Sequence, residues 1–417
     1  MLRTLLRICC GAGIVGVILF LASYFFYQHT AFLNNHLQRY LDRNINQNWG
    51  VRKATLRGVD SFNNLLPMIK PVQIDYDLAG PGTLKEDYPL PSHIDNLVIV
   101  KNSEQLSRAL KSAVPGDGIL LLPGSYNLSG ARIELGNKVP KKWERNTFVF
   151  AESFGDVQII LDTTEGFYVD KPNWTFQNLI INGVCPGPNY CEHAFHIVGN
   201  ASNFVLANSI VKNFNSHIKS NGFVSKKNNE RLFPHNVKII NNAFFNDYLR
   251  KTLSPATPLD IVGGDNWLIE GNFVSDFTKA MYTHRLNWTY GIFLKGGGKN
   301  GVIRNNLVAC EWRLSHYSKL DARVGISIGG GSTENQFCPK NDCSIEHHSG
   351  QIIENTIVNC TNDSAIYINK GADIQIRKNR IVNSLGIEAR FPQTSLSLVD
   401  NDYEGITLLR DGARLVD

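Results

Sequence analysis

The chain has 417 residues, 43% of them hydrophobic, so it can bury a large core and has the length of two or three compact domains. Charged residues make up 19% and the formal net charge is +5, which excludes a disordered chain and a nucleic-acid-binding tail. The first element is an uncharged run from Ile8 to Tyr27, preceded by Arg3 and Arg7. At ~1.5 Å per residue such a run crosses roughly 30 Å of hydrocarbon, and its basic flank stays on the cytoplasmic side. We read residues 1–7 as a cytoplasmic tail and 8–27 as a transmembrane signal anchor, with a cleaved signal peptide as the rival. The remainder would then lie in the periplasm of a cell with an inner membrane.

Residues 28–96 contain Pro67, Pro71, Pro81, Pro89 and Pro91 and read as a stem and packing arm. Residues 97–135 then open a folded region. The segment Asn96 to Val100 predicts a strand, and Leu106, Ala109, Leu110 and Ala113 line one face of a predicted helix over Ser103 to Val114. Asn102 or Ser103 caps its start and Pro115 ends it. Such a helix suits the open end of a solenoid, which has to be covered.

Residues 136–417 repeat. Short aliphatic runs end in a polar turn at Asn178, Asn208, Asn242, Asn305, Asn355, Asn379 and Asn401, with Gly271 in the corresponding place of one copy. Asn and Gly most readily take the left-handed backbone, so this column predicts a turn in every coil. Its spacing, 24 and 22 residues at the end of the chain and 29 to 50 before, predicts an all-β parallel β-helix with loops inserted in some coils. A stacked column of Asn then forms a hydrogen-bonded ladder, since coils lie ~4.8 Å apart.

A second strand recurs ahead of a Gly turn. Phe195, Leu259, Ile292, Ile326 and Ile366 share one column, and Ile197, Ile261, Leu294, Ile328 and Ile368 another. With a period of two both columns face inward, so the residues between them face outward. Six cysteines form three candidate pairs: Cys185 with Cys191, Cys338 with Cys343, and Cys310 with Cys360. The first two close short loops, for which disulfides in an oxidising compartment are favoured over zinc. The third is either a bridge between coils or a stacked buried pair.

The opening, with Val98-Ile99-Val100, Leu106, Ala109-Leu110, Pro115-Gly116-Asp117 and Leu120 to Tyr126, resembles that of polysaccharide lyases of the chondroitinase B and alginate lyase type. More broadly the chain looks like the pectate-lyase-like superfamily of right-handed parallel β-helices. That resemblance implies an acidic, uronate-containing polysaccharide as partner and cleavage by β-elimination. In such chemistry a positive group or calcium neutralises the carboxylate, and a base removes the neighbouring proton. The family's calcium-binding Asn and Glu set is not recognisable here, so the metal stays unassigned.

The outward columns supply the candidates. Lys219, Asp260 and Lys295 are the expected catalytic residues, with His196 beside them as a substrate contact; for His196 and His193 a structural role is the plainer reading. Loops add His284, Arg285, Arg313, His316, Lys319 and Arg323, a basic set suited to a polyanion. Hydrolysis needs paired carboxylates, and only Asp260 faces out of the aligned strands. The alternatives are a uronate C5-epimerase, which shares the proton abstraction, and a non-catalytic polysaccharide-binding or envelope-assembly protein.

Overall fold

The computed structural model describes residues 84–86, 88–136, 144–187, 189–225, 230–252, 255–280, 287–315, 321–330, 333–403 and 405–416. The tail, the Ile8 to Tyr27 run and most of the stem lie outside these. Among the described residues no helix is long and apolar enough to cross a membrane.

Three parallel sheets run the length of the described chain, and successive strands visit them in turn. The first has 12 strands, from Asn96–Val100 to Arg414–Leu415; the second has 10, from Gly124–Gly130 to Asp402–Tyr403; the third has 10, from Ile133–Glu134 to Ile406–Arg410. This is a parallel β-helix. Strands of three to five residues recur because each coil turns where the aliphatic run ends. The helix Ser103–Ser112 buries Leu106, Ala109 and Leu110, and the Asn102 side chain accepts from the Gln105 N–H at its start. It packs against the first strands of all three sheets.

The inward columns of the third sheet pair in the expected register. Phe195 lies beside Ile218, then Leu259, Ile292, Ile326 and Ile366; Ile197 lies beside Ser220, then Ile261, Leu294, Ile328 and Ile368. All but Ser220 are apolar, and all are shut off from water. Phe167, Phe176, Phe195 and Phe204 add ring contacts at 5.0–6.0 Å, so the first coils hold an aromatic core where the later ones hold Ile.

The turn column differs from the sequence expectation at three members, Asn178, Asn208 and Asn305. Two adjacent columns exist. Asn178, Asn208, Asn241, Gly271, Asn305, Glu354, Lys378 and Asp400 take a left-handed backbone. The residue after each occupies the buried column, and from the third coil on it is Asn242, Asn272, Asn306, Asn355, Asn379 and Asn401. There each Asn side chain donates to the next one's Oδ1 at 2.9–3.1 Å. Asn305 is therefore not a ladder residue: it is exposed and supplies the left-handed corner, while Asn306 is the rung. Asn178 and Asn208 also belong to the corner column, where they share their own bond of 2.8 Å. At Gly271 a Cβ would stand 2.4 Å from the Asn241 Oδ1, so glycine suits both the backbone and the space.

All three cysteine pairs are disulfides, and Cys310–Cys360 joins neighbouring coils with Cα atoms 5.0 Å apart. The end of the stem packs on the solenoid. Lys85 exchanges two hydrogen bonds with the Asn208 side chain, at 2.7 and 2.8 Å, and the Gln177 amide donates to the Pro89 carbonyl.

Candidate functional site

The outward positions of the third sheet form one polar strip. Tyr168, His196, Lys219, Asp260 and Phe293 are successive neighbours on the strands Glu165–Val169, His193–Val198, Ser216–Asn221, Leu259–Val262 and Asn287–Lys295. Lys295 follows Phe293 by two residues and lies beside Val262. Each side chain is fixed by the inward residues flanking it, so a rigid element, not a loop, carries the strip.

Its centre is an ion triad. The Lys219 Nζ donates to Asp260 Oδ2 at 2.5 Å and the Lys295 Nζ lies 3.1 Å from Oδ1, so both carboxylate oxygens face ammonium groups. The Asp260 side chain is 12% exposed and the lysines 22% and 20%. Burial pushes the Asp260 carboxyl up, but the two ammonium groups outweigh it and hold the group well below the usual carboxylate range. Asp260 is thus a fixed anion and no proton donor. The Lys295 Nζ also sits 4.1 Å over the Phe293 ring, which stacks on Tyr290 at 4.0 Å. Next to it Glu346 accepts from the Gly296 and Thr333 N–H groups, and burial raises its carboxyl.

One coil toward the N-terminus, His196 has Asn221 Oδ1 2.7 Å from Nε2 and Glu165 Oε2 3.2 Å from Nδ1. The contact with His196 holds the Glu165 carboxyl below its ordinary value. His193 is a cross-strand neighbour of Glu165, and its ring lies 5.0 Å from that of His196. Burial, followed by the charges of His196 and Lys219, lowers His193 to about 3, so its imidazole is neutral. Tyr168 meets His196 edge-on at 5.6 Å and carries the Arg132 guanidinium over its face at 4.1 Å. Glu165, Tyr168 and Arg132 escaped the sequence reading, although Gly166-Phe167-Tyr168-Val169 repeats the strand pattern one coil earlier and would have placed Tyr168 in the outward column.

Of the loop candidates, the two that are described, Arg313 and Arg323, do not join the strip. His284, Arg285, His316 and Lys319 fall outside the described residues. Arg313 lies after a second-sheet strand, where its guanidinium meets Asp276 and Asp247 at 3.2 and 3.3 Å and packs over Trp312 and Phe245. Arg323 is a correction. It is wholly buried, bonded to the Thr278 hydroxyl, the Cys310 carbonyl and Glu311, and so tied into the coil where no polymer reaches it. Nothing in a one-dimensional pattern separates such an inward arginine from a surface one.

Asp260, Asp265 and Glu270 do not form a calcium set, which takes about six to eight oxygen ligands. Both oxygens of Asp260 face lysines, Glu270 pairs with Arg304 at 2.8 Å, and Asp265 accepts the Lys299 N–H at 3.0 Å. Among the described residues the single close group of metal-binding side chains is Glu165, His193 and His196, which is not a calcium set.

No family profile and no curated protein matches the sequence. Solved structures do. The PL6 family alginate lyase AlyGC aligns over 75% of this chain at 16% identity and TM-score 0.36, and the chain spans 40% of that structure's length. An alginate lyase from Paenibacillus sp. FPU-7 aligns over 76% of this chain and 99% of its own, at 11% identity and TM-score 0.31, and the Azotobacter vinelandii mannuronan C-5 epimerase AlgE4 A-module over 76% and 98%, at 12% identity and TM-score 0.33. At this level the likeness decides neither activity nor substrate, and the fold rests on the strand pairing itself.

Proposed function

We propose that the protein acts on an acidic, uronate-containing polysaccharide held along the third sheet and cleaves it by β-elimination. The observation that carries this reading is the Lys219–Asp260–Lys295 triad, two cations gripped by one buried anion on an outward strip. Asp260 orients both amines. Lys295 then neutralises a uronate carboxylate, and Lys219, having first lost its own proton to solvent, takes the proton beside that carboxylate. The carbon–oxygen bond then breaks, a carbon–carbon double bond forms, and the Lys219 ammonium returns the proton to the leaving oxygen. Because Asp260 is held anionic, it cannot serve as the general acid that glycoside hydrolysis needs, which favours elimination.

The test is a screen of the protein against acidic polysaccharides, reading the ultraviolet absorbance of the unsaturated product. Epimerised sugar without unsaturated product would transfer the same proton abstraction to a C5-epimerase. Binding with neither product would leave a polysaccharide-binding or envelope-assembly protein. We also infer that Ile8 to Tyr27 anchor the chain in an inner membrane, with the helix Ser103–Ser112 as the cap of a periplasmic solenoid. The basic flank of that run and three disulfides support export.

A further inference from the structure

Two histidines three residues apart on a regular strand point to opposite faces. His193 and His196 do not. Ala194 and Phe195 between them are both fully buried, and this break in alternation brings both imidazoles to the outer side. Glu165, on the neighbouring strand, completes the group, and one ligand atom from each residue lies within 4.8 Å of the others.

Two features of the group are unexplained by packing. The His193 Nδ1 is shut off from solvent and makes no hydrogen bond among the described residues, although a buried ring nitrogen ordinarily finds a partner, and the His196 Nδ1, equally shut off, faces the Glu165 carboxylate without an aligned hydrogen bond. The His196 Nδ1 and Glu165 Oε2 are 3.2 Å apart. Two ligands each ~2.0–2.1 Å from a tetrahedral ion stand at about that separation. The disulfide Cys185–Cys191 ends two residues before His193 and ties down the approach to the strand.

We propose that Glu165, His193 and His196 bind a divalent transition ion of the zinc class at one end of the polar strip. Two imidazoles and a carboxylate suit such an ion and leave a coordination position open, whereas calcium would require more oxygens. The open position takes an anionic ligand such as a carboxylate. The proposal stands apart from the lyase reading: the ion can bind whether or not the triad cleaves a polymer, and its failure leaves the triad untouched.

The test is calorimetric titration of the metal-free full chain with zinc and, separately, with calcium, together with the visible spectrum of the cobalt-substituted protein. One equivalent of zinc, no calcium, and cobalt bands of nitrogen–oxygen ligation are expected. Glu165→Gln and His196→Gln, both on partly exposed side chains, should each weaken zinc by roughly tenfold or more. Their unchanged β-type circular dichroism would show that the fold persists. Absence of stoichiometric zinc in the wild type overturns the site without recourse to any variant. Zinc bound equally well by both variants places the ion elsewhere and overturns it too.

Discussion

Replacing Asp260 by Asn removes one negative charge and almost no volume, so its effect reports the electrostatics of the triad. Two ammonium groups at 2.5 and 3.1 Å lose their common anion at once. Breaking a buried ion pair costs about 3–5 kcal/mol. Here the lysines retain a fifth of their exposure and can swing toward water, so about 2–3 kcal/mol is expected. The loss has a pH signature. Asp260 has a folded-state value below its unfolded one of about 3.9, so its contribution is fully present above that pH and disappears as pH falls through the folded value. Thermal denaturation of wild type and Asp260→Asn should therefore show a gap at pH 7 that narrows below about pH 4. Turnover of an acidic polysaccharide should fall along with it, since both lysines lose their orientation. Equal melting temperatures at pH 7, or a gap that ignores pH, would refute the coupling of burial and charge argued for this residue.

Lys219→Ala and Lys295→Ala each leave Asp260 one cation, so stability should drop by only about 1 kcal/mol, while loss of a proton-transfer group lowers turnover about 10²- to 10⁴-fold; product absorbance and melting curves check the two together. Asn306→Ala deletes the four buried hydrogen bonds of its side chain, each 2.9 Å, and should cost about 3–5 kcal/mol, against about 1 kcal/mol for Asn305→Ala at the exposed corner. Denaturant unfolding distinguishes them, and equal losses would mean the rung is misplaced. Removing Cys310–Cys360, whose partners are 50 residues apart, should cost about 2–4 kcal/mol in the same assay. Carbonate washing of membranes should leave the full chain bound, and release of a shortened soluble form would refute the anchor.

The third sheet was legible in the sequence because its inward columns, Ser220 apart, carry one chemistry, aliphatic or aromatic, at a fixed distance from a turn. That regularity located Lys219 beside Asp260, and Lys295 in the next outward column, before any coordinate. The turn column was legible only to within one residue, for a physical reason. Asn serves two purposes there, as a residue tolerant of the left-handed backbone at Asn305 and as a two-handed hydrogen-bonding rung at Asn306, and a pattern of letters cannot separate them when both occur in sequence. The Gly271-Asn272 copy contained the answer, because only the corner accepts glycine and only the rung needs an amide.

Arg323 and the Glu165–His193–His196 group failed the sequence reading for opposite reasons. Arg323 looked like surface because charge ordinarily is, yet its partners Glu311, Thr278 and the Cys310 carbonyl come from neighbouring segments and pay for its burial collectively. For the two histidines a structural role is the plainer reading of the sequence, and a period of two would set them on opposite faces. The paired burial of Ala194 and Phe195 breaks that period, and the same place holds a small residue in four other coils, Gly166, Gly291, Gly325 and Ala365, with His217 and Pro258 in the two between. A Cβ on Gly166 would meet the Ala194 carbonyl at 2.2 Å, so the backbone is drawn inward there and the residue before it is turned out. Glu165 precedes Gly166 as His193 precedes Ala194. The outward placement of both, and with it the candidate ion site, is thus a consequence of the same coil geometry that builds the core.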